Sequence, residues 1–323
     1  MSNRVFYAVQ SVGLANPVQR TDPDTKPTES FTTVQGVQSV GLNTNFNLEP
    51  VYQLGQLELY DNYEEIPEVE ITLNKVLDGQ PTLYQQCMGE GTLVSLANYV
   101  TAFQLSIHED TESRAQGNGA KVICNPAYLS SVTYTFPTEG NSTEEVTLVS
   151  NDKVWSSTST ASAPSVSGSD NIVRRNLVKT TGDGASLIPY GASGGIPENS
   201  RIQNITISMN LGREQIRELG RRTPYYRYIN FPVEITTEFQ VVALKDGDQV
   251  GAEESDTVCS NPKALANKAI KIVLCDGMTI DLGSKNKLRS VNYTGGDTGG
   301  GNATITYSYV TYNDFDFTGP SPS

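Results

Sequence analysis

His108 is the only histidine in the chain of 323 residues, and Glu109 and Asp110 follow it directly. An imidazole beside two carboxylates is raw material for general acid–base chemistry, but a base needs an orienting partner and a nucleophile within reach. No motif supplies them, so His108 reads as an exposed residue at a strand end. Glu234 and Glu238 share one strand face, and Glu70 holds a similar place in an earlier strand. Paired carboxylates can hydrolyse glycosides. Here they stand among Thr, Asn and Gln with no aromatic platform for a sugar, which favours a wetted polar sheet face. Asp246-Gly247-Asp248 with Glu253, Glu254 and Asp256 lacks the spacing of a calcium loop and reads as a solvated acidic loop. Gly295 to Gly301 has neither the Lys-Ser/Thr ending nor the following helix of a phosphate cradle, and reads as a hairpin loop. Cys87, Cys124, Cys259 and Cys275 form no CxxC pair and, with one histidine, no zinc set; they read as free structural thiols. These residues imply no catalytic site, no metal and no cofactor.

The stretches that position these residues occur twice. Val37-Gln38-Ser39-Val40-Gly41-Leu42, Gln53-Leu54-Gly55 and Ile66-Pro67-Glu68-Val69-Glu70-Ile71-Thr72 match Ile202-Gln203-Asn204-Ile205-Thr206-Ile207, Glu218-Leu219-Gly220 and Phe231-Pro232-Val233-Glu234-Ile235-Thr236. One residue drops out after the proline, which aligns Glu70 with Glu234. Leu129 to Tyr134 then resembles Leu288 to Tyr293, a Thr-rich strand follows each, and each copy ends on Asn-Asp, at 151–152 and 313–314. The repeat implies two homologous units of about 110 residues, a normal domain size. An N-terminal arm covers 1–35, unit one 36–152, a Ser/Thr/Gly-rich linker 153–200, unit two 201–317 and a frayed tail 318–323. The Ser, Thr, Ala, Pro and Gly composition of 156–170 favours an exposed flexible segment, with Trp155 and Tyr190 pinning the linker's ends.

Period-two alternation dominates both copies. Val40, Leu42 and Phe46 oppose Ser39, Gly41, Asn43 and Asn45. Val69, Ile71 and Leu73 oppose Glu70, Thr72 and Asn74; Val233, Ile235, Phe239 and Val241 oppose Glu234, Thr236, Glu238 and Gln240. Each unit is therefore a long β-hairpin with a large excursion between its strands. Gly212 to Leu219 is expected to form a short helix stopped by Gly220; further helices are expected within 82–101 and 261–267. Two further strand pairs are expected, Ala102 to His108 with Lys121 to Cys124, and Ala269 to Cys275 with Met278 to Leu282. Asp276-Gly277 marks a tight turn in the second pair. The arm repeats Val-Gln-Ser-Val-Gly-Leu at 9–14, a strand that could pair beside its twin at 37–42.

The net charge of −13 argues against tight nucleic-acid binding. No apolar run is long enough to span a bilayer. Met1 to Val5 lacks the features of a signal peptide, which points to assembly in a cytosol. The charge is unevenly spread. Residues 37–79 hold eight acids and one base, whereas 201–243 hold six arginines and four acids. This asymmetry suggests that copy one meets copy two in an assembly, with Glu58, Asp61, Glu64 and Glu65 near Arg213, Arg217, Arg221, Arg222 or Arg227 of the neighbouring unit.

Leu219 to Thr236, with Gly55-Gln56-Leu57-Glu58-Leu59-Tyr60, Val69 to Leu73 and Leu77-Asp78-Gly79, resembles the long hairpin of tailed-bacteriophage tail tube proteins. Val132 to Asn151 is similar to that family's later strands, so the resemblance covers most of 36–152 and 201–315. It implies a mainly β chain of two tandem tube-type β-sandwich or barrel units, each with a long hairpin and a short flanking helix. It also implies rings whose inner hairpins close into a barrel, stacked rings enclosing a channel for DNA, and a place in the virion tail. The implied partners are further copies of the chain, the tape measure, terminator and hub proteins, and a sheath if the tail contracts. Glu70, Thr72, Asn74, Glu234, Thr236, Glu238 and Gln240 would line the lumen. With two units per chain, a trimer would give a pseudo-hexameric ring. A tail hub or tail-end ring with paired tube domains is the alternative, and a β-sandwich carbohydrate-binding or adhesive module is the alternative of another class.

Overall fold

The computed structural model describes residues 5, 9–22, 24–108, 119–157, 172–180, 187–191, 194–221, 223–244, 265–296 and 301–320. The chain is mainly β, in several antiparallel sheets. The first part contains β1 (Gln10–Ala15), β2 (Val18–Gln19), β3 (Phe31–Thr33), β4 (Val37–Asn45), β5 (Leu48–Tyr52), β6 (Leu59–Glu64) and β7 (Glu68–Val76). Two short helices follow, α1 (Leu83–Met88) and α2 (Leu93–Leu96), separated by β8 (Gly91–Thr92). Then come β9 (Tyr99–Ile107), β10 (Ala120–Pro137), β11 (Thr143–Ser150), β12 (Val154–Ser156) and β13 (Val178–Lys179). The last part holds β14 (Arg201–Asn210), β15 (Glu214–Ile216), β16 (Tyr226–Tyr228), β17 (Glu234–Val242), β18 (Lys271–Leu274), β19 (Thr279–Asp281), β20 (Lys287–Thr294), β21 (Thr304–Tyr312) and β22 (Asp316–Thr318).

One sheet runs through the molecule in the order β20-β21-β17-β14-β10-β11-β7-β4. Starting from β4, the strand sequence β4-β7-β11-β10 is followed by β14-β17-β21-β20, each set visiting its strands in the same chain order. The irregularities recur too. A bulge between Val37 and Ser39 has its counterpart between Ile202 and Asn204, and one between Leu129 and Ser131 has its counterpart between Leu288 and Ser290. The return strands differ from the sequence alignment. Val40 faces Leu73, while its counterpart Ile205 faces Phe239, so Glu70 takes the place of Thr236 rather than Glu234. The displacement is two residues, which leaves every side chain on its face.

The alternation read in the sequence sets the faces. Val69, Ile71, Leu73, Val146, Leu148, Ile235, Phe239 and Tyr309 are all buried on the core side. Each such side chain contributes about 1.5–3 kcal/mol relative to exposure. Helix α1 lies under this face, with Leu83, Tyr84, Cys87 and Met88 buried. Thr82 caps it by accepting from Gln85 N–H, and Gly89 closes it at φ +94°. Glu144 reaches its first turn from β11 and accepts from Leu83 N–H at 2.6 Å, Tyr84 N–H at 2.8 Å and the Tyr134 hydroxyl at 2.8 Å.

Several expectations change. Residues 212–219 form no helix: Glu214–Ile216 is a strand paired with Tyr226–Tyr228, and Gly220, at φ +88°, turns that hairpin rather than stopping a helix. The arm's strand β1 pairs with β3 and β9, not with its sequence twin β4. The tail is not frayed at its start, because β22 pairs with β19 and β8, and Gly319 N–H reaches Glu90. His108 is half-buried, 3.2 Å from the Ser11 hydroxyl. The pairs β9–β10 and β18–β19 form as read, the latter turning at Asp276-Gly277. Of the linker, β12 pairs with β10 and β13 with β18. The helix expected at 261–267 falls mostly, and the flexible segment at 156–170 almost wholly, outside the described residues. The acidic loop, Cys259 and Arg222 also lie outside them.

Candidate assembly interface

The strand sets that carry the two sequence repeats, β4-β7-β11-β10 and β14-β17-β21-β20, meet along β10 and β14, which share seven residue pairs from Ser131↔Asn210 to Pro137↔Asn204. Pairing leaves no free edge at this seam, and its inner side buries Val132, Tyr134, Ile205 and Ile207. The excursion β15–β16 then folds over the first copy. Arg213, just past the end of β14, is buried and donates from Nε to the Leu129 carbonyl at 2.6 Å and from Nη1 to the Ala97 carbonyl at 3.1 Å. Its guanidinium lies 5.7 Å from the centroid of the Tyr128 ring. Among the described residues no carboxylate pairs with it, and burial pulls its pKa down to about 10.

Arg227 on β16 is also buried, and it does have a carboxylate partner. It donates to Glu68 Oε1 at 3.0 Å and twice to Asn151 Oδ1, at 3.0 and 2.9 Å. Burial lowers its pKa, and the bond and charge of Glu68 oppose that shift. Asn151 in turn donates to the Pro67 carbonyl at 3.1 Å, so one Asn ties the end of copy one to the start of its return strand and to copy two. Arg20 from the arm lies between Tyr128 and Tyr226, 5.6 and 5.1 Å from their ring centroids. Nearer the surface, Arg217 pairs with Glu65 at 2.6 Å and Arg221 with Asp24 at 2.8 Å.

The expected acid–arginine contact therefore occurs inside one chain at Glu65 and Arg217. Arg213 and Arg227 are buried anchors rather than surface charges. Glu58, Asp61 and Glu64 are exposed on the other excursion, β5–β6, where every residue of both strands is exposed. Leu54 and Leu57 at its tip are fully exposed, as is Leu219 at the tip of β15–β16.

Glu70, Thr72 and Asn74 on β7 and Glu234, Thr236, Glu238 and Gln240 on β17 all lie on the face away from the core, intermediate or exposed. The registers Glu70↔Val149, Thr72↔Thr147, Thr133↔Ser208 and Ser208↔Thr236 bring them onto one continuous surface. Glu145, opposite Asn74, adds another acid to this face. Glu234 is held by Arg289 and by the Tyr312 hydroxyl, which lies 3.2 Å away. The sequence reading named these residues from parity alone. It missed Glu144, Asn151 and Arg20. Glu144 had a signal: it occupies an apolar-parity position in the run Ser142, Val146, Leu148. Arg20 had none, because nothing in the arm's sequence says which rings it meets.

Among the described residues, no group of three His, Cys, Asp or Glu is arranged to hold a metal ion, and Cys87, Cys124 and Cys275 are free thiols. No described helix is long and apolar enough to cross a membrane. No protein-family model matches the chain, and no curated protein matches it.

Proposed function

We propose that this chain is a structural protein of a phage tail tube, built from two tandem homologous tube-type units. Its rings would stack into a channel that DNA traverses without being bound. The observation that carries the reading is the order of the long sheet: four strands, then the same four again, with the last strand of copy one paired to the first strand of copy two. A unit that joins its own duplicate in this way can join the next chain by the same operation. Repetition of a heterologous contact gives a ring when the rotation closes, and closure removes the two remaining edges. Three chains would supply a pseudo-hexameric ring. The polar face carrying Glu70, Glu145 and Glu238 would become the inner wall, where like charge keeps phosphates moving.

In this reading the role is structural rather than catalytic, the site of action is the virion tail after assembly in the host cell, and the partners are copies of the chain together with tape measure, terminator, hub and, in a contractile tail, sheath proteins. Negative-stain microscopy of the purified protein is the test. Long hollow polymers are the expected result. Single rings that never stack would favour a tail hub or tail-end ring. A protein that stays monomeric at high concentration and binds glycans would replace the reading with a carbohydrate-binding module.

A further inference from the structure

The ends of the long sheet differ in charge in a way the internal seam explains. Among the described residues, β4 pairs only with β7 and β20 only with β21, so each offers one open edge. Strand β20 is the counterpart of β10, with the bulge at the corresponding position, and β4 is the counterpart of β14. The β10–β14 seam is thus an internal example of how β20 could meet β4 of another chain. Carried over, its register places Asn292 opposite Asn43, as Thr133 lies opposite Ser208, and Tyr293 opposite Leu42, as Tyr134 lies opposite Ile207. The faces agree. Leu42 is half-buried on the core side of β4, and Tyr293 is 67% exposed, although its counterpart Tyr134 is fully buried.

The charges at this second joint are reversed. At the seam the excursion brings arginines, and the receiving copy offers carbonyls and acids: Leu129 and Ala97 C=O, Glu65 and Glu68. At the open edge the receiving strand begins at exposed Lys287, with exposed Lys285 two residues before it and Arg289 paired to Glu234, while the excursion that would fold over it, β5–β6, carries exposed Glu49, Asp61 and Glu64. Leu48 holds the place of Arg213 and is 59% exposed, ready to be covered.

We propose that β20 of one chain pairs with β4 of a second copy of this chain in the register Asn292 to Asn43, and that the acidic β5–β6 hairpin closes over the Lys285–Lys287 end of β20. Opposite excursion charges sort the copies. The arginine-bearing excursion is repelled from the basic edge, so the acidic one alone fits there, and copies must alternate. The inference rests on the ring reading for its geometry, but the joint can exist whether or not rings stack.

The test uses the full chain with Cys259 and Cys275 changed to Ser. The bond from Leu211 N–H to the Ser130 carbonyl sets the alternation that makes Thr133–Ser208 a non-hydrogen-bonded pair, in which side chains approach most closely. The variant Asn43→Cys with Asn292→Cys should therefore form chain-to-chain disulfides under mild oxidation, giving a ladder that ends at a closed species. Stronger cross-linking of Asn45→Cys or Gly41→Cys with Asn292→Cys would overturn the register. Lys285→Glu with Lys287→Glu should weaken association about tenfold, and Glu49→Lys with Glu64→Lys should restore it. Association unchanged by the first pair, or not restored by the second, would overturn the charge sorting. The two readings separate cleanly. Cross-linked closed rings that never stack would end the tube proposal and keep the joint, whereas hollow tubes without the Asn43–Asn292 cross-link would end the joint and keep the tube.

Discussion

Arg213 and Arg217 lie on the same excursion and differ sharply in what removing them should do. Arg213 is buried, 8% exposed, and satisfies two carbonyls of the first copy. Arg213→Met should cost about 1–3 kcal/mol in urea unfolding, because one buried and one half-buried carbonyl lose their donor. Arg217→Ala should cost less than about 1 kcal/mol, since its bridge to Glu65 is open to solvent. Equal losses would mean that the buried arginine anchors nothing. Glu144 gives a pH signature. Burial raises its pKa above the ordinary 4.5, although Leu83, Tyr84, Tyr134 and Lys75 all favour the carboxylate. A raised carboxyl pKa means that the folded state holds the proton more tightly than the unfolded state. Its contribution to stability is therefore largest below about 4.5 and is lost as pH rises through the folded value. Glu144→Gln should remove that dependence. It should also cost about 1–3 kcal/mol at neutral pH, because the two helix N–H groups reach different carboxylate oxygens and the amide puts an NH2 donor in place of one of them. Urea midpoints across the acid-to-neutral range check both effects. The sequence shows such a residue only as an acid at core parity; what surrounds it depends on a helix that starts 61 residues earlier.

At the scale of elements, strands were legible and excursions were not. Alternation in 37–45, 68–76, 201–210 and 234–242 is set by one buried face, and a period of two survives any tertiary detail. The excursions have no such constraint. Gly212 to Leu219 looked helical because a Leu-Gly ending is a common helix stop, yet Gly220 at φ +88° serves a hairpin, as Gly55 does at φ +90°. In each copy the preceding residue, Leu54 or Leu219, projects fully into solvent. In the tube reading these tips meet the adjacent ring. Leu54→Ser with Leu219→Ser should leave unfolding within about 0.5 kcal/mol of the parent, because neither side chain is packed. The variant should shorten polymers seen by microscopy while rings persist. Tubes of unchanged length would assign stacking to another surface.

Over the whole molecule, the repeat seen in the sequence reappears as a repeated strand order, while the links across it could not be read. The return strand of copy two is displaced by two residues from the best sequence alignment, and β22 crosses to pair with β8 of the first part. Such pairings depend on long-range contacts that no local pattern encodes. The polar face offers the remaining prediction. In the tube reading, Glu70→Lys with Glu238→Lys should turn a passive wall into one that retains DNA, measured as binding that falls steeply with added salt; no change in DNA retention would place these residues off the proposed channel. The seam between β10 and β14 carries one more consequence. Because it is made within a single polypeptide, half of the joints in the proposed closed trimer would form during folding, without any dependence on protein concentration. Assembly of the ring would then vary with the third power of chain concentration rather than the sixth, so closed rings would persist on dilution to levels at which an unfused ancestor would have come apart.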